Sequence, residues 1–310
     1  MKKRNLNSNI VVIDCSALIY AAYYTTGHLN YNGQPTGIIY GFLSRLLMLS
    51  QRFRTTDLVF CFDSGSTHRT TYYPEYKQGR LAKRKEYTPE EVAGYESLIN
   101  QSVQLNKEIL PRLGFKNNFM CPMYEADDLI GHWINRLSRS TASQRLILVT
   151  ADADMFQCLD KCVIYEPRKK KPFNKKQMIK KFGTPPKRWA LAKAIGGCEG
   201  DGVKGVEGVS DPKNATSRVH KYLAGEIKKG VIYDRIESDK GKKIINRNLP
   251  IVTLPYKEEI MPRMIRRRSN KLTRRKFLKE FDRWQFVSFL KKENFRKWES
   301  AFNLRRKRWK

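Results

Sequence analysis

The sequence predicts an α/β protein with a mostly parallel central sheet flanked by helices, and three observations carry that prediction. First, three apolar runs each end in acid. Ile10-Val11-Val12-Ile13 runs into Asp14, and Leu58-Val59-Phe60-Cys61-Phe62 runs into Asp63. Leu146-Ile147-Leu148-Val149 passes Thr150-Ala151 and meets Asp152 and Asp154. Short unbroken apolar runs of this kind suit strands buried on both faces. Second, the stretches between them carry helical periodicity, the alternation that builds parallel sheets. Third, the carboxyl ends of parallel strands converge on one crevice. Three strands ending there in acid make a pool of negative charge that is unfavourable without bound cations. The residues point to a hard-metal site on top of a parallel sheet.

Taken in order, residues 10–14 form the first strand, and Ser16–Tyr24 turns into helix. Gly27–Gly37 reads as a loop. Ile38–Arg52 repeats apolar residues at helical spacing (Ile39, Phe42, Leu43, Leu46, Leu47) and should pack on the sheet. The second strand, 58–62, delivers Asp63 and is followed by the turn Ser64-Gly65-Ser66. Residues 69–85 then turn basic and aromatic, with little to anchor a core. Such a segment suits a mobile element that grips single-stranded nucleic acid, cations on phosphates and tyrosines on bases; a solvated surface helix is the alternative. Glu91–Leu113 is a second amphipathic helix, and Phe115–Met120 a strand.

Tyr124-Glu125-Ala126-Asp127-Asp128 opens a helix to about Leu137. Acids in a first turn complement the helix dipole, but that accounts for one or two of these three. After Asp154 come a short helix, the strand Val163-Ile164-Tyr165 and a basic turn, Arg168–Lys171. Trp189–Ile195 is helical and leads into a glycine-dense stretch, 196–209. There close backbone approach and positive φ could present N–H groups to phosphates. From about Ser217 the chain is mostly helical, with a Gly/Lys-rich loop expected near 225–243 and an apolar run, Arg247–Leu254, ending at Pro255. The tail combines basic runs (Arg266-Arg267-Arg268, Arg305-Arg306-Lys307-Arg308) with an apolar helix face of Phe277, Phe281 and Trp284.

Composition narrows the partners. A formal charge of +31 over 310 residues fits a polyanion. Residues 257–310 alone hold 20 Lys/Arg against 6 Asp/Glu, which suits a surface for duplex backbone. The six cysteines are scattered without CxxC or Cys/His ligand spacing, so they read as reduced core residues. Met1-Lys2-Lys3-Arg4 before an apolar run imitates a secretory signal, but Asp14 interrupts it and no A-x-A site follows. With no apolar stretch of bilayer-spanning length, a soluble cytoplasmic protein without membrane partners is expected.

Together these motifs resemble the bacteriophage-type 5′-nuclease family: flap endonucleases, phage RNase H enzymes that remove RNA primers, and the 5′–3′ exonuclease domain of DNA polymerase I. IVVIDCSAL is similar to the first-strand motif with its metal Asp, and FCFDSG with YYPEYKQGR to the second Asp and the start of a helical arch. YEADDL and TADADMFQCL resemble the two central acidic motifs. AKAIGGCEGDGVKGVEGV resembles the last acidic motif running into a helix–hairpin–helix element, and RNLPIVTLP the C-terminal segment.

The resemblance implies a PIN-like 5′-nuclease fold. An α/β catalytic domain would span 1–195 with its arch at about 64–105. A helical DNA-binding region with a helix–hairpin–helix-like element and basic helices would span 196–310. It implies two Mg²⁺ ions, with Mn²⁺ as a substitute. Asp14, Asp63, Glu125, Asp127, Asp128 and Asp152 would hold the first, and Asp154 and Asp201, with Asp152 near the border, the second. Lys77, Arg80 and Lys193 would act on the scissile phosphate, Tyr76 would stack on a base, and Arg69, Lys83, Arg84, Lys204, Gly205 and Gly208 would bind nucleic acid. The implied substrates are DNA and RNA–DNA hybrid duplexes with a 5′ end or flap, met in phage replication within an infected bacterial cell. A monomer is implied, with a single-stranded-DNA-binding protein, polymerase or clamp as candidate protein partners.

Two positions depart from the family pattern. Cys198 stands where an Asp is usual, so the second site lacks a ligand for which Glu199 is the neighbouring substitute. Ser210 replaces a hairpin glycine. Two other readings share some of these features. A PIN-type ribonuclease has the acid-topped sheet but not the arch-like insert or the glycine-rich element. A structure-specific DNA-binding protein would have the charge with weakened catalysis. Neither GxxxxGK[ST] nor GxGxxG occurs in a strand–turn–helix context, which excludes the common nucleotide-binding loops.

Overall fold

A computed structural model of the chain describes residues 9–65, 67–257 and 267–304. Strand β1 (Ile10–Asp14) runs into α1 (Cys15–Thr26), and a minimal hairpin, β2 (Asn30–Tyr31) and β3 (Gln34–Pro35), precedes α2 (Gly37–Phe53). β4 (Leu58–Cys61) is followed by α3 (Thr67–Tyr72), α4 (Gln78–Lys85) and α5 (Pro89–Gln104). A π-helical turn, Leu105–Ile109, joins α5 to α6 (Leu110–Leu113). Then come β5 (Asn118–Phe119), α7 (Ala126–Leu137), β6 (Leu146–Val149), β7 (Val163–Glu166) and β8 (Lys171–Phe173). α8 (Lys175–Phe182) and α9 (Trp189–Gly196) lead to a hairpin of β9 (Gly197–Cys198) and β10 (Val203–Lys204). Among the described residues six helices follow: α10 (Arg218–Leu223), α11 (Val231–Glu237), α12 (Asp239–Val252), α13 (Arg274–Arg283), α14 (Val287–Leu290) and α15 (Lys292–Ala301).

The main sheet has the order β5-β4-β1-β6-β7-β8. All its pairings are parallel except that of the edge strand β8. From β1 the chain builds outward through β4 to β5, then returns to place β6 on the other flank of β1. The strand order therefore reverses between β1 and β6, and that is where a crevice opens at the carboxyl ends.

Both faces of the central strands are covered. Val11, Ile13, Leu58, Phe60, Ile147 and Val149 pack with α1 and α2, while Ile10, Val12, Val59, Leu146 and Leu148 pack with α7 through Leu129, Trp133 and Ile134. This two-sided burial is why the strands read as unbroken apolar runs.

Three expectations need correction. The helix expected over Glu91–Leu113 is broken by the π turn, because Pro111 has no N–H and its ring crowds the carbonyl four residues back. The strand expected at Phe115–Met120 shrinks to two residues. The loop expected near 225–243 is largely helix. Ser238 caps α12 by accepting from Gly241 N at 3.0 Å, and a side chain at Gly241 would strike the carbonyls that end α11. The C-terminal helices also pack on the catalytic layer. Phe277 and Phe281 of α13 and Trp298 of α15 belong to the same core cluster as β1, α1 and α2. Met1–Arg4, Ser66, Arg266 and the run Arg305–Arg308 lie outside the described residues.

Candidate metal centre and active site

The crevice over β1 and β6 is a pocket of about 270 Å³ to which seven carboxylates contribute: Asp14, Asp63, Glu125, Asp127, Asp152, Asp154 and Asp201. Local structure fixes each. Asp14 ends β1 and caps α1, its Oδ1 accepting from Ala17 N at 3.2 Å while Oδ2 accepts from Thr150 Oγ1 at 2.8 Å. Asp63 leaves β4 and turns, accepting from Gly65 N at 3.1 Å. Asp127 stands in the first turn of α7. Asp152 caps the 3₁₀ turn Ala153–Cys158 and accepts from Asp154 N at 2.8 Å.

The site has two electrostatic halves. Among the described residues, ion pairs reach Glu125, Asp154 and Asp201, and none reaches Asp14, Asp127 or Asp152. Burial, aided by repulsion from Asp152 and Asp63, pushes Asp14 up to about 6. Burial and the charges of Asp152 and Asp14 raise Asp127 well above the carboxylate range, and burial and Asp154 raise Asp152. That is the behaviour of crowded carboxylates lacking a cation.

The other half carries protein cations. Burial works against an ionised Asp154, but Lys193 at 2.8 Å and Lys213 at 3.6 Å outweigh it and hold Asp154 below the usual range. Arg80 donates to Asp201 at 2.7 Å, and Lys77 Nζ lies 3.9 Å from the same oxygen. The backbone completes the link, Lys77 N donating to Asp201 O at 2.9 Å from a left-handed φ of 58°. The base of the arch-like segment is thereby pinned to the turn Glu199–Asp201.

Several expected residues stand elsewhere. Asp128, expected as a ligand, is fully buried and points away from the pocket. Arg69 meets it with two bonds, at 2.6 and 2.7 Å, and Tyr256 N and Glu125 N donate to it at 2.8 and 3.1 Å. Arg69, expected on nucleic acid, is only 2% exposed, and its Nε donates to Ile251 O at 2.9 Å. Tyr76, expected to stack on a base, is buried with its hydroxyl donating to Glu125 at 2.9 Å. Glu125 borders the pocket but is held by Arg69, Tyr76 and Lys77, which keep its carboxyl below the usual range against the effect of burial. The basic-aromatic segment is thus anchored as far as Tyr76, and only α4 beyond it is wholly exposed.

Glu199, the expected substitute ligand, faces solvent. Cys198 holds the position itself. Its thiol donates to Asp201 Oδ2 at 3.1 Å and accepts from Lys193 Nζ at 3.0 Å, and burial and Asp154 push it up to about 12. Lys193 is wholly buried rather than open to a phosphate. Lys83 and Arg84 are exposed on α4, with the Arg84 guanidinium 4.6 Å over the Tyr95 ring. Lys204 is exposed on β10. A side chain at Gly205 would strike the Gly196–Gly197 backbone at 2.4–2.6 Å, so this glycine serves close packing; Gly208 is exposed with φ of 77°.

Sequence reasoning missed Thr150, Lys213 and Asp211. Asp211-Pro212-Lys213 announces a turn, and Lys213 N does donate to Asp211 Oδ1 at 2.9 Å. Nothing local says that the turn returns to Asp154.

The family model described as 5′-3′ exonuclease, N-terminal resolvase-like domain, matches residues 9–183. A 5′-3′ exonuclease of Aquifex aeolicus is 30% identical over 69% of this chain and 69% of its own length. DNA polymerase I of Mycobacterium tuberculosis is 28% identical over 75% of this chain but only 25% of the polymerase. The fold is also similar to the bacteriophage T5 D15 flap endonuclease, solved as a pseudo-enzyme-product complex with DNA and metal ions. The TM-score is 0.65 at 20% identity, over 80% of this chain and 89% of that one. With more than half of its length matched and an acidic pocket at the crevice of its sheet, the chain belongs to the 5′-3′ exonuclease family, a family of metal-dependent phosphodiesterases.

Proposed function

We propose that the chain cleaves phosphodiesters near the 5′ ends of flapped, nicked or RNA-primed duplexes, using two Mg²⁺ ions for which Mn²⁺ substitutes. One observation carries the metal assignment. Asp14, Asp63, Asp127 and Asp152 come from three strand ends and one helix start and face one pocket, and among the described residues no ion pair neutralises Asp14, Asp127 or Asp152. Oxygen-only donors without imidazole fit a hard divalent ion. Asp154 and Asp201 fit a second position beside it. When bound, such a pair supplies an activated water and takes up charge on the phosphate.

The chain's own residues do the rest. Lys77 and Arg80 stand at the mouth, where cations stabilise charge developing on a phosphate. Lys193 holds Asp154 ionised from beneath, which supports a positioning role. Lys83 and Arg84 on exposed α4 supply phosphate contacts to a 5′ strand, and Lys204 and Gly208 on the β9–β10 hairpin side supply them to duplex backbone. Asp128, Arg69 and Tyr76 are not part of the proposed machinery.

Primer and flap removal during bacteriophage replication, in the cytoplasm of an infected cell and by a monomer docking on a single-stranded-DNA-binding protein, polymerase or clamp, is the setting that the motif resemblance supports. Among the described residues no helix is long and apolar enough to cross a membrane. End-labelled 5′-flap, nicked and RNA-primed duplexes incubated with Mg²⁺ test the reading. Cleavage near the 5′ end that EDTA stops is expected. Binding of all three without cleavage in any divalent metal overturns it.

A further inference from the structure

The second half of the site is not an all-carboxylate set. Asp154, Cys198 and Asp201 bring two carboxylate oxygens and a sulfur within 4.8 Å of one another. They arrive from three places: the turn after β6, the end of β9, and the 3₁₀ turn Glu199–Asp201. Cys198 is 1% exposed and lies behind the pocket wall, its sulfur 3.1 Å from Asp201 Oδ2, while both carboxylates border the pocket.

Two of the three donors already share a cation, and a further carboxylate stands beside it. The wholly buried Lys193 ammonium donates to Asp154 Oδ1 at 2.8 Å and to Cys198 Sγ at 3.0 Å. A separate carboxylate, Asp211 Oδ1, lies 3.9 Å from the same nitrogen, placed to receive the ammonium when it is displaced.

Resting on the two-metal reading above but revising the identity of its second ion, we propose that Asp154, Cys198 and Asp201 form a site for a thiophilic divalent ion of the zinc, cobalt or cadmium class, beside an oxygen-only half that takes Mg²⁺. Magnesium requires near-octahedral oxygen ligation, and a sulfur donor disfavours it. Tetrahedral donors about 2.0–2.3 Å from a zinc-type ion stand about 3.3–3.7 Å from each other, within the observed span. Three protein ligands leave a fourth position for water or a phosphate oxygen, as in catalytic zinc sites. The S–H proton leaves to solvent, the ammonium moves toward Asp211, and the ion takes the space both vacate. A chain built this way responds to a scarce soft metal even in an excess of Mg²⁺, because the two halves select by different chemistry.

The test titrates the full chain with cobalt(II) chloride, and separately cadmium(II) chloride, in excess Mg²⁺, reading near-ultraviolet thiolate-to-metal charge-transfer absorption. A band saturating at one equivalent is expected. Cys198→Ser should abolish it, and Asp201→Asn should weaken apparent affinity by at least about 10-fold, the loss that even outer-shell changes cause. A natively folded wild type without the band overturns the proposal, as does a band that survives Cys198→Ser. Should Cys198→Ser fail to fold, Cys198→Asp takes its place and must bind without the band. Missing absorption with Mg²⁺-dependent flap cleavage intact sinks the sulfur site alone. The band without cleavage in any metal supports the site and overturns the nuclease reading.

Discussion

Arg69 grips Asp128 with two bonds at 2.6 and 2.7 Å in the protein interior, while Asp127, one residue away, faces the acidic pocket. Adjacent acids therefore meet opposite surroundings. Asp128→Ala leaves the guanidinium buried without its main partner and should lower stability by about 3–5 kcal/mol. Asp127→Ala removes an uncompensated charge and should not lower the stability of the metal-free protein. Urea unfolding in EDTA separates the two; equal losses would refute the assignment.

Asp14 gives a pH signature. Its folded-state pKa is raised to about 6 by burial, so between about pH 4 and pH 6 the folded chain holds more protons than the unfolded chain. Stability from this group is therefore lost as pH rises through that window. In EDTA the stability advantage of Asp14→Asn over wild type should grow from about pH 4, level off above about pH 6, and reach at most about 3 kcal/mol. An advantage that is flat with pH would show that Asp14 is not crowded as described. Saturating Mg²⁺ should reverse the order by stabilising wild type alone.

Asp63→Ala and Asp152→Ala should each reduce cleavage to background while duplex affinity, measured by gel shift in Ca²⁺, stays within a few-fold. Parallel loss of binding would mean that these acids shape the fold and not the chemistry.

Lys83 and Arg84 offer a reading of backbone contacts. Replacing both by alanine should weaken flap binding uniformly across sequences and flatten the salt dependence of log K by about 2, one per lost phosphate contact. An unchanged slope would place the strand away from α4.

Cys198→Asp should raise Mg²⁺-supported cleavage by a few-fold or more, since a hard oxygen replaces sulfur at the second position. A fall in rate under Mg²⁺ would show that the thiol is better matched to that ion than its chemistry suggests.

The parts of this molecule legible in its sequence are those written in local pattern. β1, β4 and β6 announce themselves because burial on both faces makes each an apolar run, and the acids that follow are placed by chain direction alone. Tertiary partnership was not legible. Nothing within YEADDL tells Asp127 from Asp128; the distinction comes from Arg69, which lies 59 residues away in the chain. Tyr73 and Tyr76 look like stacking aromatics until Ala194, Cys198 and Val203 are seen to bury them. The helices within 225–243 were hidden by glycine and lysine, whose low propensity and charge matter less once Gly241 allows α11 and α12 to meet closely.

One contact tells how the molecule must assemble. Ser50 on α2 donates to Ala301 O at the end of α15, across 251 residues, and aromatic rings of α13 and α15 close the layer beneath β1. The acid-bearing strands are synthesised early, yet their apolar underside stays open until that late segment arrives. A chain still emerging from the ribosome would have its ligands translated but no rigid floor to hold them in register. Cutting activity should then appear only when synthesis has passed α15, which keeps half-made copies from acting on the nucleic acid around them.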